Sequence, residues 1–502
     1  MSDTLTPLRF LRRSAAMFAG RTAVIDGERR LTYVELDDLV GRATRVLAER
    51  GVGAGDRVAA LATNSTMMLV AHHAVPALGA ALVPLNHRLT ESELRHVVGH
   101  AGARLLLCDD ALLEAGEALG LDTLSESGLE AEAGRAEPLR PELPGEEVLL
   151  SVNYTSGTTG LPKGVMYVHR GAYLQALAMA YHARLRPGGA YLWTLPMFHC
   201  NGWCFPWAVT AAGAAHVCLR KVDAALAWRL IREHGVTHLC AAPTVLRMLS
   251  DALEAAPVDG PPLWIGTGGA PPSPALLARL AGLNIDVAHL YGLTETYGPA
   301  VVCDWQPEWD AGTDEQRARL KSRQGNVNIL GGELRVVAPD GAPVPADAET
   351  IGEVVLRGDN VMRGYLDDPE ATRAASLDGW FRSGDLGVLH PDGYVELRDR
   401  AKDVIISGGE NIASIEVEHA IATHPAVSEV AVVARPDDFW GEVPVAFVDA
   451  SSPLDGAAII AHARSLLPGF KAPRDVVFGP LPKNATGKVQ KHVLRDRVRA
   501  SA

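Results

Sequence analysis

From Asp56 onward, short apolar runs alternate with longer stretches of mixed polarity. Arg57–Ala62, Ala81–Pro84 and Arg104–Cys108 read as strands, and Thr66–Leu78 between the first two reads as a helix. Thr90-Glu91-Ser92-Glu93 is a capping box that starts the next helix. The cycle resumes at Tyr191–Thr194 and continues through Ala214–Leu219, Thr237–Ala241, Leu263–Gly266 and Asp286–Leu290, with helical stretches between. Such alternation predicts an α/β fold in which parallel sheets are covered by helices. Ligands of these folds bind beyond the carboxyl ends of the strands. Residues 110–147 interrupt the cycle with acidic, Ala/Glu/Pro-rich sequence that reads as helix and solvated surface connection. The pattern changes around Asp399–Asp403. A charged run there precedes a short α+β pattern with strands near Val427–Ala434 and Val443–Val448. The expected division is a large N-terminal domain, residues 1–397, and a small C-terminal α+β domain, residues 404–502.

Composition narrows what such a chain can do. At 502 residues, with 47% apolar and 21% charged residues, it can bury a large core in two to four compact units, which excludes disordered and collagen-like chains. The formal net charge of −13 opposes non-specific attraction to nucleic acid or an anionic membrane, so no nucleic-acid partner is expected. The six cysteines (Cys108, Cys200, Cys204, Cys218, Cys240, Cys303) contain no CxxC pair and make no disulfide framework. His199-Cys200 with Cys204 comes nearest to a metal pattern, but no second ligand pair follows, which favours ordinary pocket or core residues. Met1 to Gly20 lacks the apolar segment of a secretory signal. Met67–Leu85 and Trp203–Leu219 are interrupted by His, Pro or Gly, so no membrane span is expected. The expected compartment is the cytoplasm. The sequence leaves monomer and homodimer open.

The most informative segment is Tyr154-Thr155-Ser156-Gly157-Thr158-Thr159-Gly160-Leu161-Pro162-Lys163-Gly164. Its hydroxyls, glycines and single lysine suit a loop whose backbone N–H groups cradle phosphate. It does not align on GxxxxGK[ST]. A Gly/Ser/Thr surface loop would share the composition but not this order. The string resembles the signature loop of the adenylate-forming superfamily, which includes acyl-CoA synthetases. Other motifs of that superfamily follow in order: Tyr291-Gly292-Leu293-Thr294-Glu295-Thr296, Ser383-Gly384-Asp385-Leu386, Asp399-Arg400-Ala401-Lys402-Asp403, Ser407-Gly408-Gly409-Glu410-Asn411 and Pro482-Lys483-Asn484-Ala485-Thr486-Gly487-Lys488.

Joining a carboxylate to the α-phosphate of ATP brings two anions together, so the site must neutralise charge where it develops. Glu295 is placed at a strand end to hold Mg²⁺, a hard ion suited to oxygen ligands. Tyr291 can stack on adenine beside Gly292, and the Thr294 hydroxyl can donate to the α-phosphate. Gly268-Gly269-Ala270 would let the base lie against backbone. Asp385 fits a carboxylate accepting both ribose hydroxyls, with Arg400 near the nucleotide. Lys488 is the expected catalytic lysine, a mobile charge able to bridge carboxylate and phosphoryl oxygen. It lies in a segment, Gly469 to Ala502, that carries eight Lys/Arg against two Asp. Thr155 and His199 join Glu295 and Lys488 in the expected catalytic set, together with Ser156, Gly157, Thr158, Thr159, Gly160 and Lys163 as phosphate contacts.

The resemblance further implies that the small domain turns after adenylation and presents another face for thiol attack. It places the hinge at residues 398–403, with Lys402 at its centre, and Gly408 and Gly409 on the pantetheine tunnel of coenzyme A. The acyl pocket begins at Pro196-Met197-Phe198-His199-Cys200-Asn201-Gly202-Trp203 and runs to Trp207, with Leu290, Val301 and Cys303 flanking. His199 matches an aromatic gate between the ATP and acyl sites and is given no acid–base role. Trp203 and Trp207, four apart, have helical spacing, and one of them narrows the pocket. The implied activity is AMP-forming acyl-CoA synthesis from a carboxylic acid, ATP and coenzyme A. The acid is a short- or medium-chain acid or an aryl or cyclic one. Loading of a carrier protein is the alternative, and a non-catalytic nucleotide-binding module is a third reading.

Overall fold

The computed structural model describes residues 4–143, 145–155, 162–269, 272, 274–400, 403–407, 410–437, 439–483 and 489–500. Packing divides the chain into two compact units. The first comprises Met1–Ser156, Pro162–Glu333 and Arg357–Gly379, and the second includes Leu334–Leu356 and Trp380–Ala502. In this packing, residues 334–356 and 380–397 group with the C-terminal sequence.

Among the described residues the first unit carries two extended sheets. One has nine strands in the order Asn326–Val327, Gly298–Val302, Ile285–Leu293, Leu263–Thr267, His238–Ala241, Ala190–Leu192, Ala215–Val217, Thr22–Asp26 and Arg29–Thr32. Its central pairs are parallel, as the alternating pattern predicts, and antiparallel partners close both edges. The other runs Gly364–Tyr365, Gly164–Val168, Leu149–Tyr154, Ala81–Pro84, Arg57–Leu61, Leu105–Cys108 and Asp122–Ser125. The last of these strands lies in the stretch expected to be a solvated connection. Asp122–Ser125 instead pairs in parallel with Leu105–Cys108, and Leu119, Leu124 and Leu129 are buried around it. A single apolar residue in a four-residue edge strand is too weak a signal to stand out in an acidic stretch.

Both sheets are buried on both faces, which is why their strands read as continuous apolar runs. Val58 and Ala60 face a core shared with the nine-stranded sheet, whereas Ala59 and Leu61 face the opposite way, onto the helix Glu91–Ala101. Tyr191 likewise enters the shared core, while Ala190 and Leu192 meet the outer helices Ala224–Glu233 and Pro243–Asp251. The helices Tyr33–Glu49, Thr66–Ala77, His169–His182 and Phe205–Ala212 fill the layer between the sheets. Thr66–Ala77 has no polar stripe because every residue from Thr66 to Pro76 is buried. The predicted capping box at Thr90 is formed, with Glu93 returning a bond to the Thr90 N–H.

In the second unit, Gly352–Arg357, Trp380–Leu389 and Val395–Arg400 form antiparallel pairs. A separate sheet follows, with Val427–Asp437 antiparallel to Gly441–Ala450 and Asp475–Phe478 parallel to the latter. Val432 faces the helices Ser414–Ala422 and Gly456–Leu466, and its neighbours Ala431 and Val433 face the helix Lys491–Ala500. The expected strands Val427–Ala434 and Val443–Val448 are thus a paired edge and central strand of this sheet, covered on both faces.

Several histidines are sealed in the interior, and His72, His73 and His216 lie in the shared core. His72 and His73 sit on the central helix, and His216 accepts a hydrogen bond from Trp193 Nε1 at 3.2 Å. Desolvation lowers their pKa values from 6.5 to about 4, about 3 and about 3 respectively. Below pH 6.5 the unfolded chain binds protons that the folded chain refuses, so the stabilisation is complete above 6.5 and is lost as the pH falls toward the folded values. A histidine that must stay neutral at pH 5 forfeits about 2 kcal/mol relative to pH 7. The expected outcome is a urea midpoint, read by tryptophan fluorescence, that falls steadily from pH 7.5 to pH 5. His73→Phe should make that fall shallower.

Candidate active site

The acid turn stands at the end of the strand Ile285–Leu293. Tyr291 and Gly292, expected just beyond a strand ending at Leu290, continue it and pair antiparallel with Val301 and Pro299. The chain then turns through Thr294–Thr296, and Tyr297 takes a left-handed conformation with φ of 60°. That conformation costs a non-glycine residue about 1–2 kcal/mol, and the contacts around Tyr297 hold it. Its ring stacks on Tyr167 with centroids 3.8 Å apart, and its hydroxyl accepts the Val168 N–H at 2.7 Å. The Tyr167 hydroxyl in turn donates to the Thr294 carbonyl at 2.6 Å. Glu295 is therefore presented, half-buried, by a rigid turn. Its carbonyl accepts the Met362 N–H at 2.7 Å, and its carboxylate accepts the Tyr365 hydroxyl at 2.7 Å.

The candidate phosphate loop is the connection of a β-hairpin. Leu149–Tyr154 and Gly164–Val168 pair antiparallel, and Thr155 closes the base by donating its N–H to the Lys163 carbonyl at 3.0 Å. The Thr155 hydroxyl accepts the Lys163 N–H at 3.3 Å. Residues Ser156, Gly157, Thr158, Thr159 and Gly160 lie outside the described residues. Lys163 is exposed, and its ammonium stands 5.0 Å from the centroid of the Tyr365 ring. Since Tyr365 also meets Glu295, the lysine of the hairpin and the carboxylate of the acid turn share one neighbour.

The acyl segment departs from its expected helical form. Cys200, Asn201, Gly202, Trp203 and Cys204 all have φ between 49° and 63°, a left-handed turn that leads into the ordinary helix Phe205–Ala212. Trp203 and Trp207 therefore do not share a helical face. Trp207 is fully buried, with Nε1 donating to the His72 carbonyl at 3.2 Å. The Trp203 indole lies instead against Gly268 and Gly298, where an added Cβ would stand 3.2 Å and 3.0 Å from its ring atoms. A Cβ at 268 would also stand 2.7 Å from the Leu290 carbonyl, so the glycine is required first by that backbone contact and also leaves room for the indole. The turn is held by Asn201, whose N–H is accepted by Asn153 Oδ1 at 3.2 Å and whose side chain donates to the Ser151 hydroxyl at 2.7 Å. Cys200 Sγ lies 3.5 Å from Thr294 Oγ1, which joins the acyl segment to the acid turn. Burial raises the Cys200 thiol to about 12, so it is not a nucleophile at neutral pH. His199 is half-buried, with its ring nitrogens 3.8–3.9 Å from the same sulfur. Leu290 is buried in the core cluster that holds Trp203 and Cys200. Cys303 points elsewhere, its thiol donating to the Leu320 carbonyl at 3.4 Å.

In the second unit, Asp385 and Arg400 are directly opposed across an antiparallel pair, and Asp385 is buried. The two residues expected near the ribose thus occupy one short stretch of sheet. Ala270, Lys402, Gly408, Gly409 and Lys488 lie outside the described residues.

The sequence matches the family described as AMP-binding enzyme over residues 11–366 and its C-terminal domain over residues 416–488. The chain belongs to the AMP-binding enzyme family. It is 42% identical to an acetate–CoA ligase of Humulus lupulus, across 99% of this chain and 95% of that protein. It is also 42% identical to a peroxisomal acetate/butyrate–CoA ligase of Arabidopsis thaliana, with the same shares covered. Among solved structures, ATP-bound MatB from Rhodopseudomonas palustris superposes with a TM-score of 0.88 at 28% identity, over 99% of both chains. This AMP-binding enzyme is an AMP-forming acid–CoA ligase that uses ATP, Mg²⁺ and coenzyme A.

Sequence reasoning missed the residues that hold the ligase's acid turn. Tyr167, Tyr297, Met362 and Tyr365 come from segments far apart in the chain and carry no shared local pattern. Only Tyr297, directly beyond the acid motif, offered a signal. Among the described residues no cluster of three or more His, Cys, Asp or Glu could hold a metal ion. Glu295 alone still suits Mg²⁺, which is typically held by one or two carboxylates together with substrate phosphates.

The left-handed turn gives a direct test. Gly202 has φ of 54°, and an added Cβ would stand 2.6 Å from the Trp193 ring. Gly202→Ala should destabilise the ligase by about 2 kcal/mol or more. It should also raise KM for the acid more than KM for ATP, as measured by denaturant midpoint and steady-state kinetics.

Proposed function

We propose that the enzyme activates a short-chain carboxylic acid. The observation that carries this reading is the Trp203 indole, which occupies the space above Gly268 and Gly298 beside the acid turn. A bulky fixed ring there leaves little depth for a long or rigid acid. The acetate and butyrate in the names of the two relatives support the same size class.

In this reading His199, Cys200, Asn201, Trp203 and Leu290 shape the acyl pocket. Thr155, Lys163 and the Ser156–Gly160 loop receive the phosphates, Thr294 donates to the α-phosphate, and Tyr291 and Gly268–Ala270 meet the base. Asp385 and Arg400 hold the ribose. One acid oxygen attacks the α-phosphorus and the bond to the β-phosphate breaks, releasing pyrophosphate. The thiol sulfur of coenzyme A then attacks the acyl carbon, and AMP leaves. Lys488 stabilises the first of these steps by bridging the acid and phosphoryl oxygens. Mg²⁺, held by Glu295 when bound, neutralises phosphate charge. Lys402 is the pivot between the two half-reactions, in the 398–403 hinge between domains 1–397 and 404–502, and Gly408–Gly409 line the path of the thiol. Six buried cysteines that form no disulfide support a reducing compartment, and we assign the cytoplasm.

Lys488→Ala should reduce acid-dependent ATP–pyrophosphate exchange by about a hundredfold or more and spare thioester formation from supplied acyl-AMP. An equal fall in both half-reactions would remove the assignment. In a panel of acids scored for AMP release with coenzyme A, two- to four-carbon acids should give the highest kcat/KM. Trp203→Ala should move that optimum to longer chains. Turnover that requires a carrier protein in place of coenzyme A would overturn the acceptor.

A further inference from the structure

Tyr365 lies seventy positions beyond Glu295 and belongs to none of the motifs that point to ATP. Its hydroxyl nonetheless donates to one oxygen of the Glu295 carboxylate, Oε1, at 2.7 Å. The tyrosine itself is tightly placed. It is 9% exposed, and its backbone pairs with Val165 on the hairpin strand that follows the phosphate loop. Its N–H is accepted by the Thr372 hydroxyl at 2.9 Å, and that hydroxyl donates to the Asp368 carbonyl at 2.9 Å. The same segment clamps the Glu295 backbone through the Met362 N–H. A carboxylate on a long side chain has several rotamers, and only some of them aim its oxygens toward the phosphates. A fixed phenol selects among these by bonding one oxygen, Oε1.

We propose that Tyr365 is a positioning residue for magnesium: it orients Glu295 so that the free carboxylate oxygen is presented to the metal of the Mg–ATP complex. This rests on Glu295 being the metal-holding carboxylate. Two roles of the tyrosine are separable. The hydroxyl acts on Glu295, whereas the ring faces the Lys163 ammonium 5.0 Å away. A phenylalanine at this position removes the first and keeps the second, and a leucine removes both.

The test is calorimetric binding of ATP without acid, so that no turnover occurs, with and without Mg²⁺. It uses the full-length wild type, Tyr365→Phe, Tyr365→Leu and Glu295→Gln, each with its melting midpoint recorded. The expected result for Tyr365→Phe is Mg–ATP affinity weakened by about tenfold, the size associated with losing a hydrogen bond to a charged group, with metal-free ATP affinity unchanged. Thioester formation from supplied acyl-AMP should remain at the wild-type rate. If Tyr365→Phe binds Mg–ATP as the wild type does while Glu295→Gln does not, the positioning role is wrong. If only Tyr365→Leu is impaired, the ring and not the hydroxyl matters, which also overturns it. If Glu295→Gln keeps full Mg–ATP affinity, the metal assignment of Glu295 fails and the proposal falls with it. Should Tyr365→Phe melt early, its Mg–ATP affinity measured well below that midpoint decides between the same outcomes.

Discussion

The site depends on one aromatic stack. Tyr167 lies on a strand of the seven-stranded sheet, and Tyr297 follows the acid turn at the end of a strand of the other sheet. Their contact, closed by hydroxyl bonds to Val168 and Thr294, brings the hairpin that carries the phosphate loop to the turn that carries Glu295. Close packing leaves no room to vary this distance. A Cβ at Gly171 would stand 2.6 Å from the Tyr297 ring, so the helix His169–His182 needs a glycine where it passes the stack. The cost of the left-handed Tyr297 is met by these contacts, as is common where strain persists at functional sites.

Around that stack the interior is chemically quiet. The six cysteines are all buried and form no disulfide, and burial raises the thiols of Cys108, Cys200, Cys204, Cys218 and Cys240. The sealed histidines stay neutral. An ionic group, the exposed Arg220 with Asp26, Glu126 and the buried Asp109, joins strand ends from both sheets, and Asp26 also accepts the Thr66 N–H at the start of the central helix. Such a group does more to specify one arrangement than to add net stability, because desolvation offsets much of its attraction.

Much of the fold was legible because each element carries its own signal. The strands Ala81–Pro84 and Leu263–Thr267 announce themselves by apolar runs, since both faces are covered. The Thr90 capping box is local by nature, and it formed as expected. Asp385 and Arg400, read from two separate motifs, face each other across one strand pair. Failures came where the signal was not local. The spacing of Trp203 and Trp207 suggested a helix, but the turn at 200–204 is left-handed and is held by Asn153 and Ser151 from a distant strand. Asp122–Ser125 became a strand only because Leu105–Cys108 offered it an edge.

The sequence by itself determined the class of fold and the family, because those depend on local periodicity and on ordered strings that survive without knowledge of contacts. Tertiary structure decided which tryptophan lies against Gly268 and Gly298, why residue 268 is a glycine and what holds Glu295 in place. The reason is physical. Periodicity and capping are properties of neighbouring residues, whereas an indole's position or a carboxylate's rotamer is set by side chains such as Tyr167, Ser151 and Tyr365. These arrive from other strands and meet only when the sheets close on one core.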